Sequence, residues 1–333
     1  MRCSACATRK PDAALAALVD YLERNQSLTE WSSLVHFLPY LHRADARRFE
    51  AFLEALVAKV PGLIGSKLMA QFLAHGRAQH PELVECHLAY WREARSRQAR
   101  QAYGEIVALA ALINPEIVWG APRLEAILDD PDAVDARAGV ALSAAQVFAD
   151  GERRTAASAL LVRLLGAGED RVWRAAFDLF RIADELTPDE GTIALLQAIA
   201  DKLEQAPRLD ATFVVERLSS LLPHHAVLIG TLAQRLADQW RTDLGDIQTA
   251  TAMATSQLVD LAITLHRLGP DTREIGTTLV EQLIATNAYE ARQMLDQIDS
   301  RFRASAQVPR RPRLPRRSER RSRTSRRRGS TIS

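Results

Sequence analysis

The chain has 333 residues, 47% of them hydrophobic and 25% charged, a composition that excludes disorder over most of its length. Its net charge of +2 conceals a division: Ala304 to Ser333 hold 11 Arg against one Glu, so the preceding 303 residues carry a net −8. An acidic body with a separate basic arm follows, and only the arm suits a polyanion.

Three cysteines cannot build a disulfide framework, and no secretory pattern opens the chain. The longest uncharged apolar run, Ile106 to Ile113, falls well short of the roughly 18 to 20 residues that span a bilayer. The expected setting is a reducing cytoplasm with no membrane attachment. Residues 1–10 lack helical periodicity and read as a disordered leader. Within them Cys3 and Cys6 form a CxxC with no second pair at zinc spacing, and Cys86, beside His87 and near His75 and His80, is expected to be a buried cysteine.

From Pro11 onward helical signals follow one another. Pro11, Pro61, Pro81, Pro115, Pro188, Pro223 and Pro270 each precede an apolar-periodic run, where a missing N–H costs nothing in the first turn. The spacing predicts helices over Asp12 to Asn25, Thr29 to His42 and Ala44 to Val60, with Pro39 ending or kinking the second. In the third, Phe49, Phe52, Leu53, Leu56 and Val60 make one apolar stripe. Strand patterns are almost absent.

Pro61-Gly62-Leu63-Ile64-Gly65-Ser66-Lys67 invites a phosphate-loop reading and fails it. Two residues rather than four separate the glycines, Ser precedes Lys, and no strand leads in. A helix–helix corner is expected. From Pro81 to Asn114 a long pattern carries Arg92, Arg95, Arg97 and Arg100 beside Tyr90 and Tyr103. Basic residues interleaved with aromatics can contact nucleic acid; the other reading is a solvated helix face, with Glu93 pairing to Arg97 at i, i+4.

Between Leu124 and Leu186 one helix-turn-helix pattern is written twice at an offset of 37 residues. Ile127-Leu128 is answered by Leu164-Leu165, Asp132 by Glu169, Arg137-Ala138 by Arg174-Ala175 and Val140 by Phe177, across the turns DDPDA and GAGED. This pattern resembles the HEAT-type helical repeat, with its apolar helix end, acidic turn and Val/Arg/Ala start. The resemblance implies an all-α fold, a HEAT-like α-solenoid of stacked antiparallel helix pairs, because one hairpin buries its apolar face only when a neighbour stacks on it. Arg137 and Arg174 are then expected at equivalent positions one repeat apart.

Further helices are expected over Glu190 to Glu204, Leu209 to Leu222, His224 to Arg241, Asp246 to Leu268, Asp271 to Thr286 and Tyr289 to Arg303. His224 and His225 follow a proline at a helix start and, being adjacent, are not expected on one helical face. His266 reads as a lone surface or boundary residue. The Leu265 to Pro270 corner and the last helix, with Tyr289, Met294, Leu295, Ile298 and Phe302, resemble the end of large bacterial ATP-binding proteins of the STAND NTPase type. That resemblance implies a sensor portion; no residue here inherits ATP hydrolysis, since no Walker motif matches.

Residues 304–333 are Arg, Pro and Ser with almost nothing to bury, so a disordered tail is expected. Its Arg310, Arg311, Arg313, Arg316, Arg317, Arg320, Arg321, Arg323, Arg326, Arg327 and Arg328, with Arg92 to Arg100, are the candidate nucleic-acid contacts. The chain holds 39 Arg against four Lys, as a GC-rich coding sequence would, and an out-of-frame reading of such a gene also yields Arg-Pro-Ser runs.

The expected organisation is a leader over 1–10, a solenoid over 11–303 and a tail over 304–333. The leading functional reading is a non-enzymatic interaction or sensor module with a protein partner and no cofactor or metal. The alternatives are nucleic-acid binding through the tail, or a HEAT-like DNA glycosylase, for which Trp173 and Asp178 are the available aromatic and acid, although Trp173 is expected to pack between repeats. Fold analogy alone does not choose among them.

Overall fold

The computed structural model describes residues 10–41, 44–78, 81–207, 209, 213–246, 248–249, 251–288, 291 and 296, with positions 46, 64, 65 and 67 described by backbone only. The chain divides into two compact units, Met1–Ala291 and Arg292–Ser333. Cys3, Cys6, His80, most of the expected helix from Tyr289 to Arg303 and the whole tail lie outside the described residues.

Every regular element among the described residues is helical. In chain order the helices are α1 (Pro11–Arg24), α2 (Leu28–Leu34), α3 (Ala46–Lys59), α4 (Lys67–Gly76), α5 (Pro81–Arg92), α6 (Arg97–Ile113), α7 (Gly120–Asp129), α8 (Val134–Asp150), α9 (Arg154–Leu165), α10 (Asp170–Ile182), α11 (Glu190–Lys202), α12 (Val214–Ser219), α13 (Leu222–Gln239), α14 (Arg241–Leu244), α15 (Thr255–Leu268) and α16 (Pro270–Ala285). Short 3-10 segments cover Val35–Leu41, Pro61–Gly65, Leu203–Gln205 and Thr251–Ala254.

Local chemistry sets many of these boundaries. Prolines occupy the first turn of α1, α13 and α16. Asp45, Ser66 and Asp189 cap α3, α4 and α11 by accepting the N–H groups of Arg48, Met69 and Thr192. Pro39 removes the N–H that an α-helix would aim at Val35, and the expected second helix instead ends at Leu34 and tightens into a 3-10 segment. The helix expected from Asp246 starts only at Thr255. Asp246 and Thr249 accept N–H groups from Gln248 and Ala252, giving that backbone turns in place of a helix.

The core is a two-row stack. From α6 onward α6, α8, α10, α12 and α15 pack successively in one row and α9, α11, α13 and α16 in the other, with Arg163 of α9 reaching Glu125 and Asp129 of α7. This is an all-α, solenoid-like fold. The long pattern expected from Pro81 to Asn114 is broken after Arg92, so that α5 and α6 serve different rows. The close fit of α6 on α8 depends on Gly104 and Gly139: a Cβ on either would run into the other helix's backbone, at Ala136 and Gln101 respectively. The Phe49, Phe52, Leu53, Leu56 and Val60 stripe is buried as its spacing predicts. In α15 the stripe holds for Leu258, Leu261 and Leu265, while Leu268 reaches solvent at the helix end.

Candidate interaction surfaces

The repeat is held by arginines that reach backward into a turn and forward into the next pair. Arg100 donates to the carbonyls of Ala94 and Arg95 in its own hairpin turn and to Asp135 of α8, at 2.6 Å from Nη2. Arg137 repeats this one pair later. It donates to the carbonyls of Asp130 and Pro131 and, in a bidentate pair, to Glu169 at the start of α10. Asp135 also receives Arg171. In the other row Arg154 donates to the Phe148 carbonyl and to Asp189, the cap of α11, at 2.6 Å.

The 37-residue offset therefore relates Arg100 to Arg137, but the expectation for Arg174 fails. Arg137 is 4% exposed, whereas Arg174 stands in solvent. Between α8 and α10 the register is 36: Ala136 and Val172, Arg137 and Trp173, Val140 and Ala176, Ala144 and Phe180 are all buried pairs. One residue is about 100° of helix rotation, enough to turn Arg174 outward.

Of the candidate nucleic-acid contacts, Arg100 is thus committed to the hairpin and to Asp135, while Arg92, Arg95 and Arg97 are exposed around the α5–α6 break. That break also removes the one-turn spacing on which a Glu93–Arg97 pair depends. Arg310, Arg311, Arg313, Arg316, Arg317, Arg320, Arg321, Arg323, Arg326, Arg327 and Arg328 lie outside the described residues.

Other expectations resolve individually. Gly62 lies in a corner where a 3-10 segment meets α4, and the Ser66 hydroxyl takes the Met69 N–H at the helix start. Cys86 is exposed, against expectation. The apolar face of α5 runs through Leu83, Val84, His87, Leu88 and Trp91, so His87 is the buried member of the pair, its Nδ1 2.9 Å from the Leu83 carbonyl. Among the described residues no three His, Cys, Asp or Glu side chains come together as a metal site. His266 is at the surface.

Trp173 and Asp178 do not form a joint site. The indole is fully buried against Phe177, at 5.9 Å between ring centroids, and Asp178 is bound by Arg181 at 3.0 Å on the wall of a cavity of about 320 Å³ that Trp173 does not line. His224 and His225, by contrast, line one cavity. His225 leaves helical geometry at φ −135°, ψ 41°, and both residues line an open cavity of about 530 Å³ between α11 and α13 with Gln197, Asp201 and Arg235.

The sequence reading passed over a third cavity, an open apolar groove of about 640 Å³ between α1 and the stretch from α2 into the 3-10 segment after it. Ala13, Ala14, Ala17 and Leu18 form one wall, and Leu34, Phe37 and Leu41 the other. The signal was present in the run Ala13-Ala14-Leu15-Ala16-Ala17-Leu18, which is apolar nearly all round although only Leu15 of it is buried.

No family model, curated protein or solved structure matches the chain. Among the described residues no helix is long and apolar enough to cross a membrane.

Proposed function

We propose that the chain is a non-enzymatic helical-repeat interaction or sensor module that binds a protein partner on the outer faces of its stacked helix pairs. The carrying observation is a division of labour among its polar and apolar groups. Arg100, Arg137 and Arg154 and the carboxylates that meet them join one repeat to the next, while the described cavities are open grooves between neighbouring helices, the largest of them apolar. Stacked-helix proteins use such faces for extended contacts. The likeness to HEAT repeats belongs to this reading, as does a place beside a STAND-type ATP-binding core in a cytoplasmic setting.

A nucleic-acid reading draws on the 11 Arg of residues 304–333 and on the exposure of Arg92, Arg95 and Arg97 around the α5–α6 break. Capture on the immobilised full chain, with and without nuclease, separates the two. The protein reading expects a partner that survives nuclease and reassembles with the purified chain at fixed stoichiometry in sedimentation. Loss of all bound material on nuclease treatment would replace it with the nucleic-acid reading.

A further inference from the structure

The groove at the first helix pair has a shape and a charge that specify an occupant. On α1 its wall is Ala13, Ala14, Ala17, Leu18 and Tyr21; on the facing stretch it is Thr29, Glu30, Ser33, Leu34 and Phe37, with Leu41 at the far end. Both walls follow the spacing i, i+1, i+4, i+5, i+8, the pattern of a helix flank turned toward a third helix. The α1 wall runs for about 12 Å at the helical rise, so it offers roughly two turns of contact. Three alanines make it shallow, as Gly104 and Gly139 do where α6 and α8 come together, and the half-buried Leu18, Leu34 and Phe37 line the sides.

Elsewhere in the stack a helix pair covers its apolar flank with the next pair. Here, among the described residues, the flank is open: Ala13 and Ala17 of its α1 wall are exposed, and Ala14, Leu18, Leu34 and Phe37 are only half-buried. At one rim the Glu30 carboxylate accepts hydrogen bonds from the Tyr21 hydroxyl and, at 2.5 Å, from the Asn25 amide. Both donors are neutral, so the carboxylate keeps its whole charge beside an apolar trough.

We infer that this groove docks one amphipathic helix of a partner protein, an apolar stripe of Leu, Ile or Phe seated between α1 and the Leu34–Phe37 wall, with a Lys or Arg about one turn beyond the stripe meeting Glu30. Backbone groups of a helix are satisfied internally, so it enters an apolar trough at no cost in unpaired polar atoms, whereas an extended strand finds no sheet edge here to pair with. The glutamate selects the polarity of the incoming helix by its charge. This inference rests on the proposed interaction function and names the surface and the chemistry that it uses.

The test uses the full chain and a fluorescein-labelled peptide of about 16 residues, with Leu at i, i+3, i+4 and i+7 and Arg one turn past the stripe. Saturable binding by fluorescence anisotropy is expected. It should weaken at least about tenfold in Ala17→Glu, which places a charge on the exposed floor of the groove. Glu30→Gln should weaken the Arg peptide several-fold at low salt and leave a peptide with Gln in place of Arg unaffected. Circular dichroism of both variants establishes that they fold; Ser33→Glu, on the opposite wall, serves as the second floor variant should Ala17→Glu not fold. Equal affinity in wild type and the folded floor variant overturns the proposal, as does equal binding of the Arg peptide and one carrying Glu there. A wild-type dimer in light scattering that Ala17→Glu converts to a monomer also overturns it, since a second copy would then hold the groove. Peptide binding that fails while the full chain still captures its nuclease-resistant partner removes this groove and leaves the interaction function standing.

Discussion

Arg137 shows how much of this fold rests on single side chains. A guanidinium that is 4% exposed is stable because it meets turn carbonyls and the Glu169 carboxylate together. Removing it leaves those acceptors and a carboxylate without their donor, so Arg137→Met should cost about 3 kcal/mol in urea unfolding. Arg174→Ala, at an exposed position, should stay within about 0.5 kcal/mol. Comparable losses in the two variants would restore the 37-residue register between α8 and α10. The glycines give a second contrast. Gly139→Ala drives a Cβ into the Gln101 carbonyl and should destabilise by about 1 to 3 kcal/mol. Gly76→Ala, where a Cβ meets nothing within 4 Å, should be neutral or stabilise by up to about 1 kcal/mol in the same measurement. The place of Arg137 in a repeat was legible from the acidic turn before it. Its counterpart was not, because a one-residue change in turn length rotates a helix without altering its composition.

At the scale of the element, Asp189 ties helix capping to the stack. Burial pushes its carboxyl pKa up, but the bond from Arg154 and those from Thr192 outweigh burial and hold it below the ordinary carboxylate value. The native state therefore takes up this proton less readily than the unfolded chain does, and the resulting stabilisation is present above about pH 3.9 and lost as pH falls through the depressed value. Asp189→Asn keeps a capping oxygen and removes the charge. Because the pair is partly exposed, at 17% and 35% for the two side chains, its contribution at pH 7 should be about 0.5 to 1 kcal/mol. Thermal melts from pH 7 to about pH 2.5 should show the gap between wild type and variant closing on acidification; a gap that widens would mean that the charge does not stabilise the native state. Elements with proline or a capping side chain at their start were legible in the sequence. The α5–α6 break was not, since Glu93 to Ser96 contain neither proline nor glycine and the hairpin is closed by Arg100 from within the next helix.

For the whole molecule, contacts that run between successive pairs make stability a sum of neighbouring interfaces. Hydrogen exchange should then be slowest in α6, α8 and α10, which have a packed neighbour on either side, and fastest in α1 and α2, where the outer flank is open. Uniform protection across the body would indicate one cooperative unit instead. The charge division also acts at this scale. Deleting residues 304–333 removes a net +10 from a body of −8, so non-specific DNA binding and its steep salt dependence should largely disappear while helical content stays the same. An unchanged affinity and salt slope would move the contact to Arg92, Arg95 and Arg97.

What the sequence determined by itself was the helical class, the stacking of hairpins and the burial of the long apolar stripes, because these follow from periodicity within one helix and from turn chemistry within a few residues. What the tertiary structure alone decided was which equivalent residue faces inward and which faces become grooves. Arg174 turned outward by one step of helix rotation. The kink at His225 falls where His224 and His225 both line one cavity. The groove at α1 likewise lies between two helical stretches that no third helix covers among the described residues. Each of these depends on the relative placement of helices distant in sequence, set by packing between surfaces, which a pattern read along one strand of sequence does not contain.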